Sequence, residues 1–582
     1  MLIKELIRFS TQHRTLHCYL VLSIWIFLLI AGMYKYIGHN GNSLSNTIQF
    51  FNGQLHSPSG DVNAQYTDEI YHQRLDKRIL KYSQFKERCA PLEHLVRRDE
   101  GGILDGWKLQ GVLMVIRHGD RGPMSHMRGV MGIDCSAENN GLVNRYRSFL
   151  YNSTSSASSN HMYWNKMGPF HGFPLLPASD RACLLGQLTF KGVAQMLHVG
   201  DILHKIYAHA LGLLNKPTSN KPSMGGSSTP NSLLTSDEVV VFSTRYRRTF
   251  QSALAILFSF LPNDKWLSLN IRESQSMAFC FTDCTCHQAE LLFKRQKNEQ
   301  KFNLTLQPDI SKVIQWVGGT LLQHTPNGVN NVQDVMDVLT MILCHDAPLP
   351  CRQIISNNSR LFSTQLSATD LNDVINIDQD ENAADPNFVP ENIFNEDLDS
   401  ENSMGCVEDT HVTALMAYAN WQSTYEVAHI YYRRIGLLRS YGMIRHIVSY
   451  MLRMISGDRT KFVLYSGHDW TLQYLTAALG IRTGNTFIPY ATRLAIELYK
   501  SETHTDYYFR IVYNGRDVTQ QIEFCEGGKS LRVTRDSRGN KADLCPIENI
   551  IRFLHEDYFA SLNATNFKDA CTAMVSHKDI DF

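Results

Sequence analysis

Residues 111–123 have the sequence GVLMVIRHGDRGP, in which an apolar run is followed at once by Arg117, His118 and Arg121. Such a short apolar run, bounded by turn-forming residues, predicts a buried β-strand. Open α/β sheets bind ligands beyond the carboxyl ends of their strands. Arginine forks donate paired hydrogen bonds to phosphate oxygens, and a histidine between two forks lies within reach of the phosphorus. The segment therefore predicts a phosphate-binding loop that carries its own nucleophile.

Two further predicted strands end in polar residues of the same chemical kind. Residues 238–242 (EVVVF) lead into an arginine-rich turn that contains Arg248, and residues 461–465 (KFVLY) lead to His468 and Asp469. Taken alone, the turn is typical of a solvated surface and the His-Asp pair of a helix N-terminus. Because all three strands end in residues that bind or transfer phosphoryl groups, we expect them to form one site.

Periodicity elsewhere predicts an α/β fold. Residues 188–208 have helical spacing, and another helix is predicted through residues 253–260. Residues 494–499 and 507–513 are predicted to be two strands that form a hairpin near a sheet edge. Strands that alternate with helices favour an α/β sandwich. The helical, cysteine-bearing middle of the chain is a candidate cap.

The amino-terminal segment predicts a membrane anchor. Residues 16–34 are largely apolar and lie at the short end of the length that a membrane-spanning helix needs. Lys4, Arg8 and Arg14 precede them, and positive flanks stay in the cytoplasm, so the rest of the chain should be lumenal. A cleaved signal peptide is the alternative, but the run ends in bulky residues rather than the small ones of a cleavage site.

These features divide the chain into four predicted parts. They are a cytoplasmic tail (1–15), a signal anchor (16–34), a lumenal stem (35–81) and a catalytic domain (82–582). Within the catalytic domain, residues 216–236 are rich in Pro, Ser, Gly and Asn and predict a flexible insertion. Residues 367–403 are strongly acidic and poor in aromatic residues, so a solvated, disordered loop is favoured over a docking site for a basic partner.

Composition and cysteine content fit a lumenal protein. The 56 acidic and 56 basic residues balance, so the net charge gives no indication of nucleic-acid binding. Of the 13 cysteines, Cys18 lies in the apolar segment, and the remaining even number is expected to form disulfides of undetermined pairing. Zinc is the alternative for the cysteine cluster at 280–287, but no second cluster has the paired spacing of zinc sites. Glycosylation is expected at four Asn-x-Ser/Thr sites, Asn152, Asn303, Asn357 and Asn563.

In their order along the chain, these motifs resemble those of the histidine phosphatase superfamily, in its acid phosphatase and phytase branch. The Arg-His-Gly-x-Arg-x-Pro motif matches residues 117–123, and Leu-Thr-x-x-Gly-x-x-Gln matches residues 188–195. Ser-Thr-x-x-x-Arg-Thr-x-x-Ser-Ala matches residues 243–253, which selects Arg248, and the late His-Asp pair matches His468 and Asp469. The resemblance covers residues 105 to 555 and implies a phosphoglycerate-mutase-like mixed sheet flanked by helices, with a mainly helical cap.

The resemblance also implies a role for each motif residue. His118 would attack phosphorus to form a transient phosphohistidine, its second ring nitrogen donating to a carbonyl in the Gly119 turn. Asp469 would protonate the leaving alcohol and then activate water. The phosphate oxygens would be bound by Arg117, Arg121, Arg248 and His468, with Thr244 and Thr249 as candidates for supporting contacts behind them. No metal or other cofactor is expected, because three guanidiniums supply the positive field.

The remaining loop residues are expected to shape the turn. Gly119 and Gly122 should let the backbone bend tightly, and Pro123 should fix the exit of the loop. For Asp120, at the variable position of the motif, a role at the surface or facing the cap is favoured over a catalytic one.

Among members of the branch, the anchor, stem and cysteine-rich middle are most similar to Golgi enzymes that dephosphorylate 2-phosphoxylose in the glycosaminoglycan–protein linkage. This likeness implies a type II Golgi membrane protein with a lumenal catalytic domain, a phosphorylated glycan substrate and glycosyltransferase partners. Arg245 and Arg247 stand where the family usually has acidic or neutral residues. Their charge leaves inositol polyphosphates open as substrates, beside a general acid phosphatase activity. An inactive phosphate-binding protein is the third alternative, but binding requires no nucleophile.

Overall fold

A mixed β-sheet forms the centre of this computed structural model, which describes residues 87–102, 106–128, 133–136, 140–154, 168–178, 183–214, 238–267, 269–281, 284–323, 332–351, 405–484, 486–535 and 539–572. Within these ranges the strands are β1 (Trp107–Arg117), β2 (Val239–Thr244), β3 (Ile271–Ser274), β4 (Phe462–Gly467), β5 (Arg493–Ser501), β6 (Tyr507–Tyr513), β7 (Arg516–Asp517), β8 (Leu531–Thr534) and β9 (Lys541–Pro546). Their order is β3-β2-β4-β1-β5-β6-β9-β8, with β7 paired to β6. Strands β3, β2, β4 and β1 pair in parallel, and the other pairings are antiparallel.

Helices cover both faces of this sheet and also build a separate cap. They are α1 (Gly141–Thr154), α2 (Phe190–Leu203), α3 (Arg247–Phe260), α4 (Asn263–Leu267), α5 (His287–Thr305), α6 (Pro308–Leu321), α7 (Val332–Cys344), α8 (Asp409–Ala428), α9 (Ile430–Ile455), α10 (Asp469–Leu479), α11 (Ile547–Arg552) and α12 (Phe567–Thr572). In β1, Leu113 and Val115 pack into the core under α9 and α10, whereas Val112 and Met114 pack into the core under α2 and α3. The alternation follows from the two-residue period of a strand and explains why β1 is apolar throughout its buried length.

A third apolar core forms the cap. It is built by α6, α7 and α8, with Val317, Leu339 and Leu415 among its fully buried members. Apolar side chains of the three helices bury one another. The cap therefore has a core of its own, separate from the two cores that flank the sheet.

Most predicted elements are present, but one position in the sheet was predicted wrongly. The strands expected near 494 and 507 do form an antiparallel hairpin, β5 and β6. However, β5 also pairs with β1, and β9 and β8 extend the sheet beyond β6, so the hairpin lies inside the sheet and not near its edge. The prediction failed because β8 and β9 are short and carry exposed charged residues, so they lack the apolar run that marks a buried strand.

Twelve cysteines form six disulfides. The pairs are Cys89–Cys344, Cys135–Cys183, Cys280–Cys284, Cys286–Cys571, Cys351–Cys406 and Cys525–Cys545. The zinc alternative for the cluster at 280–287 is therefore wrong, because its three sulfurs are already bonded to other cysteines. The remaining cysteine, Cys18, lies outside the described residues.

Several predictions also fall outside the described residues. These are the tail, the anchor at 16–34, the stem, the insertions at 216–236 and 367–403, and the glycosylation site at Asn357. Within the residues that the structure describes, no helix is both long enough and apolar enough to cross a membrane. Of the other predicted glycosylation sites, Asn152 and Asn563 are exposed and Asn303 is half-buried.

Candidate active site

The carboxyl ends of β1, β2 and β4 meet at one edge of the sheet. Arg117 at the end of β1 lies in register with Gly467 of β4, and Ser243 of β2 lies in register with Ser466. Because the three strands are parallel neighbours, the residues that follow them share this edge. The structure thus brings together the three sequence segments that were predicted to form one site.

The glycines of the phosphate loop are required for space rather than for a bend. Gly119 and Gly122 do not have positive φ angles, so the predicted reason for them was wrong. A Cβ at Gly119 would lie 2.4 Å from the carbonyl oxygen of Gly192, and one at Gly122 would lie 2.0 Å from that of Leu184. Gly192 belongs to the first turn of α2, where a Cβ would lie 2.3 Å from the carbonyl oxygen of Asp120. The loop and α2 therefore contact each other backbone to backbone.

The His118 side chain is buried and oriented by its own turn. Its Nδ1 lies 2.7 Å from the carbonyl oxygen of Gly119, in the position expected from the sequence. A carbonyl can only accept, so Nδ1 carries the proton of the neutral ring and Nε2 keeps its lone pair. Burial first, and then the positive charges of Arg248 and Arg117, hold the pKa of His118 well below its usual range. The ring is therefore neutral, with a free nitrogen, even in mildly acidic solution.

Two of the predicted phosphate ligands are held at their guanidinium ends by the protein itself. Arg117 donates from Nη1 to the carbonyl oxygen of Ile488, and its Nη2 lies 3.1 Å from Oδ2 of Asp469. Arg248 donates from Nη1 to the carbonyl oxygen of Gly186 at 3.3 Å. The Nε atoms of both arginines are buried and have no hydrogen-bond partner within the part of the chain that the structure describes. Buried donors without acceptors are costly, and an oxyanion bound between the two side chains would supply the missing acceptors.

The third arginine, Arg121, is held by a carboxylate that the sequence did not reveal. Its Nη1 and Nη2 donate to the two carboxylate oxygens of Asp337 at 3.2 and 2.8 Å, and Nη1 also donates to the carbonyl oxygen of Gly122 at 2.8 Å. Asp337 belongs to α7 of the cap, whose sequence VQDVMDVLTMILC is mainly apolar. Nothing in that amphipathic pattern marks one of its acids as part of a distant site. The contact depends on how the cap packs against the phosphate loop.

His468 contacts protein groups through both ring nitrogens. Its Nδ1 lies 3.3 Å from Nη2 of Arg248, and its Nε2 lies 2.9 Å from Oγ1 of Thr244, which donates to Oγ1 of Thr249 at 2.9 Å. Burial first, and then the charge of Arg248, hold the pKa of His468 well below its usual range. In this structure the neutral ring therefore orients Arg248, and the two threonines form the supporting contacts behind it.

Asp469 opens α10 and faces Arg117. Its Oδ1 accepts a hydrogen bond from the backbone N–H of Trp470 at 2.8 Å, as expected for an acid in the first turn of a helix. Burial raises the pKa of Asp469. The charges of Arg117 and Arg121 lower this pKa by a larger amount, so the net shift is downward. The carboxyl is thus ionised in the free site. A bound phosphate would offset the arginine charges and favour its protonation.

Asp120 links the phosphate loop to the cap. Its carboxylate accepts hydrogen bonds from Thr189 Oγ1 at 2.6 Å and from His345 Nε2 at 2.9 Å. His345 directly follows the last residue of α7. Asp120 is only 1% exposed, so the surface position is wrong and the cap-facing position is confirmed. Its backbone N–H donates to Oε1 of Gln195 at 2.8 Å, which explains the last position of the Leu-Thr-x-x-Gly-x-x-Gln motif.

A cleft of about 350 Å³ lies between this site and the cap. Arg117, Arg121 and Asp469 line its inner part. The outer part is lined mainly by amide and aromatic side chains, namely Gln296, Gln300, Gln333, Gln422, Gln473, Phe293, Trp470, Tyr474 and Phe487. Arg245 and Arg247 are exposed and do not line this cleft, and Nε of Arg245 lies 3.7 Å from Glu273 Oε1. The arrangement can therefore bind one phosphate in its cationic inner part and a polar, uncharged group outside it.

Comparisons with known proteins agree with this geometry. The family model described as "Histidine phosphatase superfamily (branch 2)" matches residues 108–514. A Xenopus tropicalis relative named 2-phosphoxylose phosphatase 1 is 27% identical over 484 residues, which are 82% of this chain and 79% of the relative. Its Homo sapiens namesake is 25% identical over 481 residues, which are 82% of this chain and 83% of the relative.

Solved structures of similar proteins include the multiple inositol polyphosphate phosphatase of Bifidobacterium longum bound to inositol hexasulfate. It has a TM-score of 0.41 and 9% identity, and the match covers 80% of this chain and 98% of that one. The names of the two relatives, like the family model, describe phosphatases. Since the family model spans well over half of the sequence, the chain belongs to branch 2 of the histidine phosphatase superfamily.

Proposed function

We propose that this phosphatase hydrolyses a phosphomonoester of a sugar through a phosphohistidine at His118. The observation that carries the proposal is the hydrogen bond of 2.7 Å from Nδ1 to the Gly119 carbonyl, which leaves Nε2 unprotonated beside three guanidiniums. A site that only bound phosphate would gain nothing from an oriented, unprotonated ring. A covalent intermediate divides the displacement at phosphorus into two easier steps.

In the first step, Nε2 of His118 attacks phosphorus and the bond from phosphorus to the sugar oxygen breaks. Arg117, Arg121 and Arg248 bind the non-bridging oxygens, where negative charge is spread in the transition state. Asp469 transfers its proton to the leaving oxygen, so the sugar departs as an alcohol instead of an alkoxide. His468 supports this step through its contact with Arg248.

In the second step, the ionised Asp469 takes a proton from water as the water oxygen attacks phosphorus. The bond from phosphorus to Nε2 breaks, and Asp469 is protonated again while inorganic phosphate is still bound. When phosphate leaves, Asp469 returns to its ionised form, and it takes up a proton again when the next substrate binds. The same carboxyl therefore serves first as acid and then as base. Its position at the mouth of the site supports this double use, since its side chain is 31% exposed and water can reach it.

As substrate we propose 2-phosphoxylose, which the name of the relatives suggests. Its place in the glycosaminoglycan–protein linkage region is part of the proposal and comes from the resemblance described for the sequence. The outer cleft supports a sugar over an inositol polyphosphate. Apart from Arg117 and Arg121, its basic lining residues are Arg88 and Lys297, and acidic Asp334 and Glu426 balance them. A pocket for several phosphates would need a clear excess of basic residues. Amide groups and aromatic faces suit the hydroxyl groups and apolar faces of a sugar.

We further propose that the enzyme works as a type II Golgi membrane protein with residues 16–34 as its anchor and residues 82–582 as its lumenal catalytic domain. The six disulfides support an oxidising compartment. The exposed glycosylation sites at Asn152 and Asn563 agree with the same compartment. In the Golgi, the enzyme would encounter the phosphorylated linkage sugar together with the glycosyltransferases that extend it.

The test compares the purified full chain on three substrates: a 2-phosphoxyloside, 4-nitrophenyl phosphate and inositol hexakisphosphate. We expect the highest kcat/KM for the phosphoxyloside and no turnover by the His118→Ala variant. Rapid quenching of the wild-type protein should trap phosphorus in an acid-labile, base-stable bond to that histidine. Full activity of His118→Ala, or a preference for inositol hexakisphosphate, would contradict the proposal.

A further inference from the structure

Asp337 is an acid of the cap whose hydrogen bonds all run to the phosphate loop. Its Oδ2 accepts from the backbone N–H of Met124 at 2.8 Å and from Arg121 Nη1 at 3.2 Å. Its Oδ1 accepts from Arg121 Nη2 at 2.8 Å. Asp337 also lines the cleft beside Asp469, and its side chain is 20% exposed. A negative charge thus stands at the wall of a site that binds an anion.

This contact determines which donors of Arg121 a ligand can use. A guanidinium has five N–H groups. Two on Nη1 and one on Nη2 are bonded to Asp337 and Gly122. Among the described residues, the remaining Nη2 proton and the Nε proton have no partner, and these two lie on one edge of the fork. That edge matches the spacing of two oxygens of a single phosphate. A second phosphate would need the edge formed by Nη1 and Nη2. Asp337 already occupies that edge.

We propose that Asp337 is a specificity-determining residue that selects an isolated phosphate ester and rejects a substrate with a second phosphate on a neighbouring carbon. This inference rests on the proposed function of the cleft as a sugar-phosphate site. Asp337 acts through charge, since a second phosphate would meet its carboxylate instead of an arginine edge. This repulsive element costs the correct substrate less than the polyphosphate, because its single phosphate uses the open edge of Arg121 and lies farther from the carboxylate.

The expected effect is large enough to measure. A carboxylate and a phosphate a few ångströms apart at a partly solvated wall repel each other enough for about a tenfold to hundredfold loss of affinity. The repulsion acts between groups in contact with solvent, so added salt should weaken it. An effect on the shape of the site alone would show no such dependence on salt.

The experiment measures kcat/KM of the full chain on a 2-phosphoxyloside and on inositol hexakisphosphate, and takes their ratio. In Asp337→Asn, the amide oxygen keeps one acceptor for Arg121 but the charge is lost. We expect the ratio to shift toward the polyphosphate by about tenfold or more. Asp334→Asn is the matched control, since Asp334 lies one turn earlier on α7 and lines the same cleft. Its ratio should shift less than that of Asp337→Asn, because the Arg121 edge held by Asp337 stays occupied.

Two outcomes would overturn the inference: an unchanged ratio in a folded Asp337→Asn variant, or an equal shift in Asp334→Asn. If Asp337→Asn does not fold, Asp337→Glu should keep the wild-type ratio because it keeps the charge, and Asp337→Gln should lose it. Equal ratios in that pair would refute the inference as well. High salt should reduce the discrimination of every protein that keeps a carboxylate at position 337, and should leave that of Asp337→Asn unchanged. Inability of the wild-type protein to hydrolyse the phosphoxyloside would refute the proposed function instead.

Discussion

Replacing Asp469 with asparagine separates the two steps of the proposed reaction. The amide oxygen can still accept the N–H of Trp470, which Oδ1 accepts at 2.8 Å, so α10 keeps its first turn. The ion pair of 3.1 Å with Arg117 is lost, but that arginine remains bonded to the carbonyl oxygen of Ile488. The main change is that no proton is available for the leaving oxygen. The phosphate-binding guanidiniums stay charged and in place.

The size of the effect depends on the leaving group. General acid catalysis contributes about 10²- to 10⁴-fold, so the first turnover on a sugar phosphate should slow by that factor. This corresponds to about 3 to 5 kcal/mol of transition-state stabilisation. The 4-nitrophenolate ion is a stable leaving group that needs no proton. For 4-nitrophenyl phosphate the first turnover should therefore slow by less than about tenfold.

The assay must resolve the first turnover, because Asp469 also acts in the second step. Rapid mixing should give a burst of one nitrophenolate per protein molecule, followed by slow turnover as phosphohistidine accumulates. The pH dependence supplies a second readout. The arginine charges hold the pKa of Asp469 below its usual range in the free site, and bound phosphate offsets those charges. The protonated form is the working acid, so activity falls as the pH rises through this pKa, and the fall in kcat should lie at higher pH than the fall in kcat/KM.

Equal slowing of the sugar and nitrophenyl esters in the first turnover would refute the role of Asp469 as the acid. An alkaline fall in kcat that survives in Asp469→Asn would refute it as well. A matched control is Asp120→Asn, which removes another buried acid beside the loop but one that contacts Thr189 and His345 instead of the ligand. Its losses should be the same for both esters, because the loop loses support without losing a proton donor.

The remaining predictions concern stability and packing. Arg510→Met should lower the free energy of unfolding by about 3–5 kcal/mol in denaturant titrations, because it leaves the fully buried Glu497 carboxylate without its cation. Burial raises the pKa of Glu497, but Arg510 lowers it by a larger amount, so this pKa is lower in the folded protein than in the unfolded chain. The ion pair therefore stabilises the wild-type protein fully above the pKa that Glu497 has in the unfolded chain. This stabilisation is lost as the pH falls through the pKa that Glu497 has in the folded protein. That loss should be absent from unfolding curves of Arg510→Met. Gly192→Ala should reduce activity on every ester alike, since its Cβ would lie 2.3 Å from the carbonyl oxygen of Asp120, and unchanged kcat would contradict the close contact.

The sequence predicted the central strands and the residues that follow them because both signals are local. An apolar run of four to six residues is enough to predict a buried strand, and β1, β2 and β4 each contain one. Parallel pairing then brings their carboxyl ends together, so His118 and Asp469 could be placed at one edge before any coordinates. The glycines were found but misinterpreted. Close approach between two backbones depends on packing, whereas only the turn preference of glycine can be inferred from sequence.

The cap residues could not be predicted, because their partners are distant in sequence. Asp337 is separated from Arg121 by 216 positions, and His345 from Asp120 by 225. Both lie on or next to a helix whose pattern indicates only which side is apolar. The disulfide between Cys89 and Cys344 holds the end of that helix near the loop, and sequence alone does not fix disulfide pairing. The sequence does not specify how the cap packs against the phosphate loop.

The two carboxylates in the site hold their arginines in different ways, and the difference is significant for the mechanism. Asp469 faces only one Nη of Arg117 and is 31% exposed, so it can exchange a proton with the ligand or with water. Asp337 takes two donors of Arg121 and a backbone N–H, so it holds the guanidinium and the loop by three hydrogen bonds. An acid that moves a proton must be loosely paired, and an acid that fixes an arginine must be tightly paired. This difference supports our proposals that Asp469, on the core, transfers the proton and that Asp337, on the cap, selects the ligand.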